Sequence, residues 1–182
     1  MNIEYNDKYT FLAMLDKLII AKLMKRVNPE LKISPDEKFY TSIYMETMYF
    51  DDFLDNLKFF FEYAGVGSIL VGIDEHEEIL EGEITQDIDG AIFSFHLKDL
   101  VRLEQLNAPE SKISAYTAEI FSCFNKHVDV EWFDVNGDEY TQFIGALFHY
   151  DYSWHRLIEV LIDIILKIRK DCELYENNSN NC

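Results

Sequence analysis

Hydrophobic residues recur at three- and four-residue steps in the N-terminal part of the chain, which is the spacing of an amphipathic helix. The first such segment runs from Asp7 to Arg26 and stops before Asn28-Pro29. A second segment begins at Ser34, where Ser, Pro and Glu stand in the order typical of a helix start. Because Asp51-Asp52 could begin a separate helix, residues 34–64 are predicted to form either one helix or two.

Between residues 68 and 97 the pattern changes to that of β-strands. Residues 68–74 form a short apolar run rich in branched side chains, which is typical of a buried strand. Two further runs flank Asp89-Gly90, a dipeptide favoured in two-residue hairpin turns. Pairing outward from this turn places Gln86 opposite Phe93, on a face of the predicted hairpin that is mainly apolar. The opposite face is acidic and includes Glu81, Glu83 and Asp87.

A second hairpin is predicted around Asn136-Gly137, which again separates two alternating segments. Pairing outward from this turn places Trp132 opposite Thr141, on a face that can join a hydrophobic core. The opposite face mixes acidic, amide and aromatic side chains: Asp129, Glu131, Phe133, Asp138, Tyr140 and Gln142.

Three more helices are predicted, from Leu97 to Leu106, from Ser114 to Phe124 and from Ser153 to Leu174. The last has a polar stripe only one residue wide, formed by Glu159, Asp163 and Lys167. A helix with so narrow a polar stripe is expected to be mostly buried.

Taken together, these elements predict an α+β fold arranged as a two-layer sandwich. An antiparallel sheet of about five strands carries helices mainly on one face, and all or part of its other face is open and acidic. Residues 1–175 are expected to form a single domain, and the polar residues 176–182 a disordered tail.

The charge of the chain is its most unusual bulk property. Among 182 residues, 34 are acidic and 16 are basic, so the formal net charge is -18. Residues 65–96 carry eight acidic side chains and residues 128–151 carry six, and neither segment contains Lys or Arg. Such a charge disfavours nucleic acid and anionic membranes as partners. Solubility alone is one explanation of the charge, and attraction of a basic partner is another.

Other features of the sequence predict a cytoplasmic protein without disulfides. Its three cysteines, Cys123, Cys172 and Cys182, have neither the number nor the spacing of a disulfide framework or a metal site. Charged residues interrupt the N-terminal segment before any apolar run, unlike a signal peptide. The most apolar segment, residues 157–168, is too short to span a bilayer.

Signatures of catalysis and of cofactor binding are missing from the sequence. Residues 134–139 (DVNGDE) resemble part of a calcium loop, but the EF-hand needs Gly at its sixth position and Glu at its twelfth. Here Gly137 is fourth and Gly145 is twelfth, so a hairpin turn explains the segment better. The chain has no GxSxG elbow, P-loop or HExxH motif. We therefore predict a protein that is not an enzyme and needs no cofactor.

The sequence favours an acidic binding protein that blocks a basic protein partner, as an immunity protein or antitoxin blocks a toxin such as a nuclease. Carboxylates would attract the partner and aromatic side chains would anchor it. The predicted binding residues are Asp129, Glu131, Phe133, Asp138, Tyr140, Gln142, Glu81, Glu83 and Asp87. Two alternatives stay open. One is a DNA mimic that inhibits a nucleic-acid-binding enzyme. The other is a small-molecule-binding protein or enzyme with a helix–sheet pocket, using His96, His149 or His155 beside a carboxylate.

Overall fold

The computed structural model of the chain describes residues 19, 22–31, 53–71, 91–133, 142–150 and 155–179. These residues form an α+β fold with five helices and a four-stranded antiparallel sheet. In chain order the elements are α1 (residues 22–27), α2 (Phe53–Ala64), β1 (Gly67–Val71), β2 (Ala91–Leu97), α3 (Lys98–Gln105), α4 (Glu110–Asn125), β3 (Val128–Trp132), β4 (Gln142–Tyr150) and α5 (His155–Ser179).

The two N-terminal helices end where the sequence predicts. Helix α1 stops at residue 27, and the N–H of Asn28 still donates to the carbonyl of Met24 at 2.9 Å. Helix α2 ends at Ala64 and is followed by Gly65, whose φ of 65° is a left-handed conformation that costs glycine little. The predicted helix start at Ser34 lies outside the described residues. The segment that would join it to α2, residues 32–52, lies outside them as well, so the structure does not test whether residues 34–64 form one helix or two.

Helices α3 and α4 confirm the two predicted between the strands, with one change of boundary. Helix α3 is followed by Asn107 at a φ of 56°, a left-handed position that asparagine tolerates. Helix α4 begins at Glu110, four residues before the predicted Ser114. The earlier start follows from Pro109, whose carbonyl accepts the N–H groups of Lys112 and Ile113 and so forms the first turn.

The strand order of the sheet is β1-β2-β4-β3, so β2 is a central strand with a partner on each side. Phe93 lies opposite Val71 of β1 and opposite Gly145 of β4. The predicted pairing of Gln86 with Phe93 is therefore wrong, because both edges of β2 are already occupied at that position. Among the described residues the sheet has four strands, not five. Residues 72–90, which include Glu81, Glu83 and Asp87, lie outside them.

Strands β3 and β4 pair as predicted but in a different register. Trp132 lies opposite Gly145, whereas a two-residue turn at Asn136-Gly137 requires it to face Thr141. From Val130 to Trp132 the shift is four residues, an even number. Because side chains alternate between the two faces, an even shift leaves Val130, Glu131 and Trp132 on their predicted faces.

One face of the sheet carries the hydrophobic core. Its centre is a group of aromatic rings in which Phe95 stacks on Phe143 with ring centroids 4.7 Å apart, and on Phe124 of α4 at 5.3 Å. Such contacts stabilise the fold beyond the apolar area they bury. Helix α5 contributes its fully buried side chains to the same core: Leu157, Ile158, Leu161, Ile162, Ile168 and Cys172. One face of the helix is thus fully buried, but Glu159, Val160 and Asp163 are exposed, so the expectation that the helix is mostly buried is not confirmed.

The other face of the sheet is buried at its centre, so of the predicted open and acidic surface only a part can be present. Ile92 and Ser94 of β2 are 2% and 3% exposed, and Ile144 and Ala146 of β4 are 1% and 0% exposed. These positions alternate with the core residues of the same strands and so belong to the opposite face. Within the described part of the chain, acidic side chains that are exposed on the sheet occur on β3.

Helix α5 is longer than predicted. It continues to Ser179, so residues 176–179, expected in a disordered tail, are helical instead. Tertiary contacts explain the extension. Glu176 accepts a hydrogen bond from Nε of Arg102 on α3 at 3.1 Å, and Tyr175 packs against the core. Residues 180–182 lie outside the described part of the chain.

Candidate functional site

The exposed carboxylates of Asp129 and Glu131 lie on β3, which forms one edge of the sheet in the residues that the structure describes. Phe133 follows them and is half-buried, with its N–H donating to the carbonyl of Ile144 at 2.9 Å. We call Asp129, Glu131 and Phe133 the β3 edge. The structure thus brings three of the nine predicted binding residues onto one short segment.

One hydrogen bond shows which backbone N–H and C=O groups of β3 point toward β4 and which point away from it. Since Phe133 bonds to Ile144, and bonded pairs alternate along antiparallel strands, Glu131 also directs its N–H and C=O toward β4. The N–H and C=O groups of Val130 and Trp132 therefore point away from β4. The pairing shifts between Asp129 and Val130, where β4 has one residue more than β3, and an irregularity of this kind increases the local twist of the strand pair.

Of the other six predicted residues, the structure describes one, Gln142. Gln142 is half-buried at the start of β4 and lies opposite His96 of β2. Asp129 lies opposite His149, near the far end of β4, so Asp129 and Gln142 are well apart along the sheet. The five that remain lie outside the described residues: Asp138, Tyr140, Glu81, Glu83 and Asp87.

Trp132 faces the core, as its place on the apolar face of the predicted hairpin indicates. Its Nε1 donates to Oδ1 of Asn125 at 2.9 Å, and its ring meets that of Phe121 edge to face at 4.8 Å. It also lies over Gly145, where an added Cβ would come within 3.1 Å of its ring. The role of Trp132 is therefore to fix the β3 strand onto the sheet.

A second candidate site is a cleft of about 440 Å³ between α3 and the start of β1. His96 is the one residue of this cleft among the histidines that the sequence indicates as candidates; the i, i+3, i+4, i+7 spacing of the α3 residues is the sequence signal for its neighbours. The wall of the cleft combines backbone at two glycines with side chains from β1, β2 and α3: Gly65, Gly67, Ser68, His96, Lys98, Val101, Arg102 and Gln105.

His96 lacks the environment expected of a catalytic histidine. Its side chain is exposed, and its ring nitrogens lie 3.0 and 3.2 Å from the hydroxyl oxygen of Ser68, directly across the β1–β2 pair. The residues lining the cleft include no carboxylate. The buried His–carboxylate pair that would indicate an enzyme is thus not formed around His96 in the described residues.

Two polar clusters lie between helices and serve the fold. In one, Asp171 accepts hydrogen bonds from Tyr116 at 2.7 Å and from Lys112, whose ammonium lies 2.8 Å away. Burial by itself would raise the pKa of Asp171, but these two donors outweigh it and hold the pKa below its usual value. In the other, Arg169 joins α5 to Asp99 of α3.

The buried thiols are poor candidates for nucleophiles. Burial raises the pKa of Cys123 to about 12 and also raises the pKa of Cys172. Their Sγ atoms contact the backbone carbonyls of Leu157 and Asp99 respectively.

Comparison with known proteins gives no relative: no family model, no curated protein and no solved structure matches the chain. Within the described residues, no group of three or more His, Cys, Asp or Glu side chains could hold a metal ion. No helix in the same part of the chain is both long enough and apolar enough to cross a membrane.

Proposed function

We propose that this chain is a non-catalytic binding protein that attaches to a basic protein through its β3 edge and blocks that partner. The observation that carries the proposal is the pair of exposed carboxylates, Asp129 and Glu131, on an edge strand that Trp132 holds in place. A rigid surface loses little conformational entropy when it binds, which favours affinity.

The charge of the chain supports a basic partner. A net charge of -18 creates a negative potential that speeds the encounter with a cationic protein and slows the encounter with an acidic one. Phe133, half-buried beside the two carboxylates, offers apolar surface for the contact. Asp138, Tyr140, Glu81, Glu83 and Asp87 belong to the same proposal as additional contacts.

A nuclease toxin is a suitable partner because a surface that binds nucleic acid is rich in Lys and Arg. Such a surface is the natural target of a negatively charged inhibitor. In this proposal the chain covers the cationic surface of the toxin, as immunity proteins and antitoxins do. A DNA mimic would act on the same class of target and differs in relying on carboxylates without apolar contacts.

The proposal is tested by capture of the partner from a lysate of the source cell. The tagged chain is incubated at about 50 mM and about 300 mM salt, since electrostatic attraction between exposed groups is strongly screened at the higher concentration. We expect one basic protein to be retained in stoichiometric amount at low salt and largely lost at high salt. The purified partner should then lose its own activity when the chain is added.

Two results would contradict the proposal. In the first, the chain retains nothing above the level of the tag alone. In the second, it retains an acidic or neutral protein whose capture does not depend on salt. The Phe133→Ala variant removes the apolar contact and keeps both carboxylates. If it still binds a basic partner as the wild type does, the result favours a DNA mimic instead.

A further inference from the structure

The cleft between α3 and β1 is lined by basic and neutral side chains, whereas the chain as a whole is strongly acidic. Although the net charge is -18, its polar side chains all carry hydrogen-bond donors, and two of them are cations. The five are Ser68, His96, Lys98, Arg102 and Gln105.

Local sequence explains how α3 presents these donors together. Lys98, Val101, Arg102 and Gln105 stand at i, i+3, i+4 and i+7, so they share one face of the helix. The N–H of Lys98 donates to the carbonyl of Val66 at 2.9 Å, which fixes the first turn of α3 beside β1. The donor face is therefore held against the strand rather than free to turn away.

Two glycines keep the other wall of the cleft open. A Cβ at Gly67 would overlap the backbone carbonyl of His96, so only glycine allows β1 to approach β2 this closely. At Gly65 an added Cβ would meet nothing within 4 Å, which shows open space at the mouth of the cleft. Neither position contributes a side chain that would fill the cleft.

The two cations differ in how they are held. Arg102 donates from Nε and Nη2 to Glu176, which orients the guanidinium and leaves Nη1 outside that pair. Lys98 is exposed, and no ion pair joins it to another described residue. Its ammonium is therefore an exposed donor beside an oriented one, a combination suited to an anionic group.

We propose that this cleft binds a small organic anion, whose phosphoryl or carboxylate group lies between Lys98 and Arg102. The volume of about 440 Å³ is typical of small-molecule sites and leaves room for an organic part beside Val101 and the glycine backbone. Ser68 and His96 supply further donors. The cleft adjoins β1, at the opposite end of the strand order from β3, so this proposal does not depend on the proposed protein partner.

The test is an NMR titration of the full chain with sodium phosphate and, separately, with sodium acetate, each at constant ionic strength. The signals followed are the His96 ring and the amides of Gly65 and Gly67. We expect saturable shifts at these positions with a dissociation constant in the millimolar range for at least one anion. Saturation by phosphate alone identifies a phosphoryl ligand, by acetate alone a carboxylate ligand, and by both a general anion site.

Substitutions locate the binding. Lys98→Ala is expected to weaken it by roughly tenfold or more, the effect of losing a charge-assisted hydrogen bond. Lys126→Ala removes an equal charge from an exposed residue outside the cleft and should leave the dissociation constant almost unchanged. The proposal is overturned if neither anion gives saturable shifts at tens of millimolar. It is also overturned if Lys98→Ala and Lys126→Ala have the same effect.

Discussion

Arg169 on α5 donates two hydrogen bonds to Oδ2 of Asp99 on α3, from Nε at 3.1 Å and from Nη2 at 2.9 Å. Its Nη1 also donates to the carbonyl of Val27, the last residue of α1, at 2.7 Å. Asp99 is 6% exposed, so its carboxylate depends on this partner in place of water. One arginine therefore joins three helices that are far apart in the sequence.

Replacing this arginine should cost stability. Arg169→Met leaves the buried carboxylate of Asp99 without a cation and the Val27 carbonyl without its donor. We expect the free energy of unfolding to fall by roughly 2–4 kcal/mol. Urea denaturation followed by circular dichroism measures the change. Arg156→Met, on an exposed position of the same helix, is the control and should cost under about 0.5 kcal/mol. Equal losses in both variants would show that the Arg169–Asp99 contact is not important.

The two glycines around the start of β1 are expected to respond differently to alanine. Gly65→Ala places a side chain in open space and costs only the left-handed backbone conformation, about 1 kcal/mol. Gly67→Ala drives a Cβ into the His96 carbonyl and must separate β1 from β2, so its cost should be at least twice as large. Thermal denaturation of the two variants compares them. A Gly67→Ala protein as stable as Gly65→Ala would refute the close approach.

The contribution of Asp171 to the free energy of unfolding should decrease as the pH falls. Because the pKa of Asp171 is lowered in the folded chain, its contribution is present above the unfolded pKa of about 3.8 and is lost as pH falls through the folded value. The difference in unfolding free energy between the wild type and Asp171→Asn should therefore be constant near neutral pH and shrink below pH of about 4. Glu173→Gln, an exposed change on the same helix, should have little effect. A difference that grows on acidification would contradict the hydrogen bonds described.

The two buried thiols should be protected in the folded chain. In a Cys182→Ser variant at pH of about 8, neither Cys123 nor Cys172 should react with Ellman's reagent within minutes, since burial raises the pKa of both. Both should react at once in denaturant. Rapid release of one equivalent from the folded protein would show that a thiol is accessible.

Local signals predicted those parts of the fold that depend on neighbouring residues. Helix α2 ends at Ala64, where the predicted segment of residues 34–64 ends, and the spacing of apolar residues predicts the buried face of α5. The faces of β3 and β4 were also predicted, because alternation survives an even shift of register. The register itself was not predicted: Trp132 lies opposite Gly145, with its ring packed over the glycine backbone, and not opposite Thr141.

Long-range contacts account for what the sequence did not predict. Asp89-Gly90 favours a hairpin, but β2 pairs with β1 and β4 because Phe93 and Phe95 belong to a core built from distant segments. Polar residues after 175 suggested disorder, yet Arg102 holds Glu176 in the helix. At the candidate site, alternation predicted exposed carboxylates at Asp129 and Glu131. It did not predict that Gln142 lies opposite His96.

The most direct test of the proposed function compares two double variants that remove the same charge. Asp129→Asn with Glu131→Gln alters the β3 edge, while Glu62→Gln with Glu173→Gln alters exposed carboxylates on α2 and α5. In capture experiments at low salt, the first variant should retain at least about tenfold less of the basic partner, because it removes contacts as well as charge. The second should stay within about twofold of the wild type. Equal losses in both variants would mean that net charge alone attracts the partner and would contradict a binding site on β3.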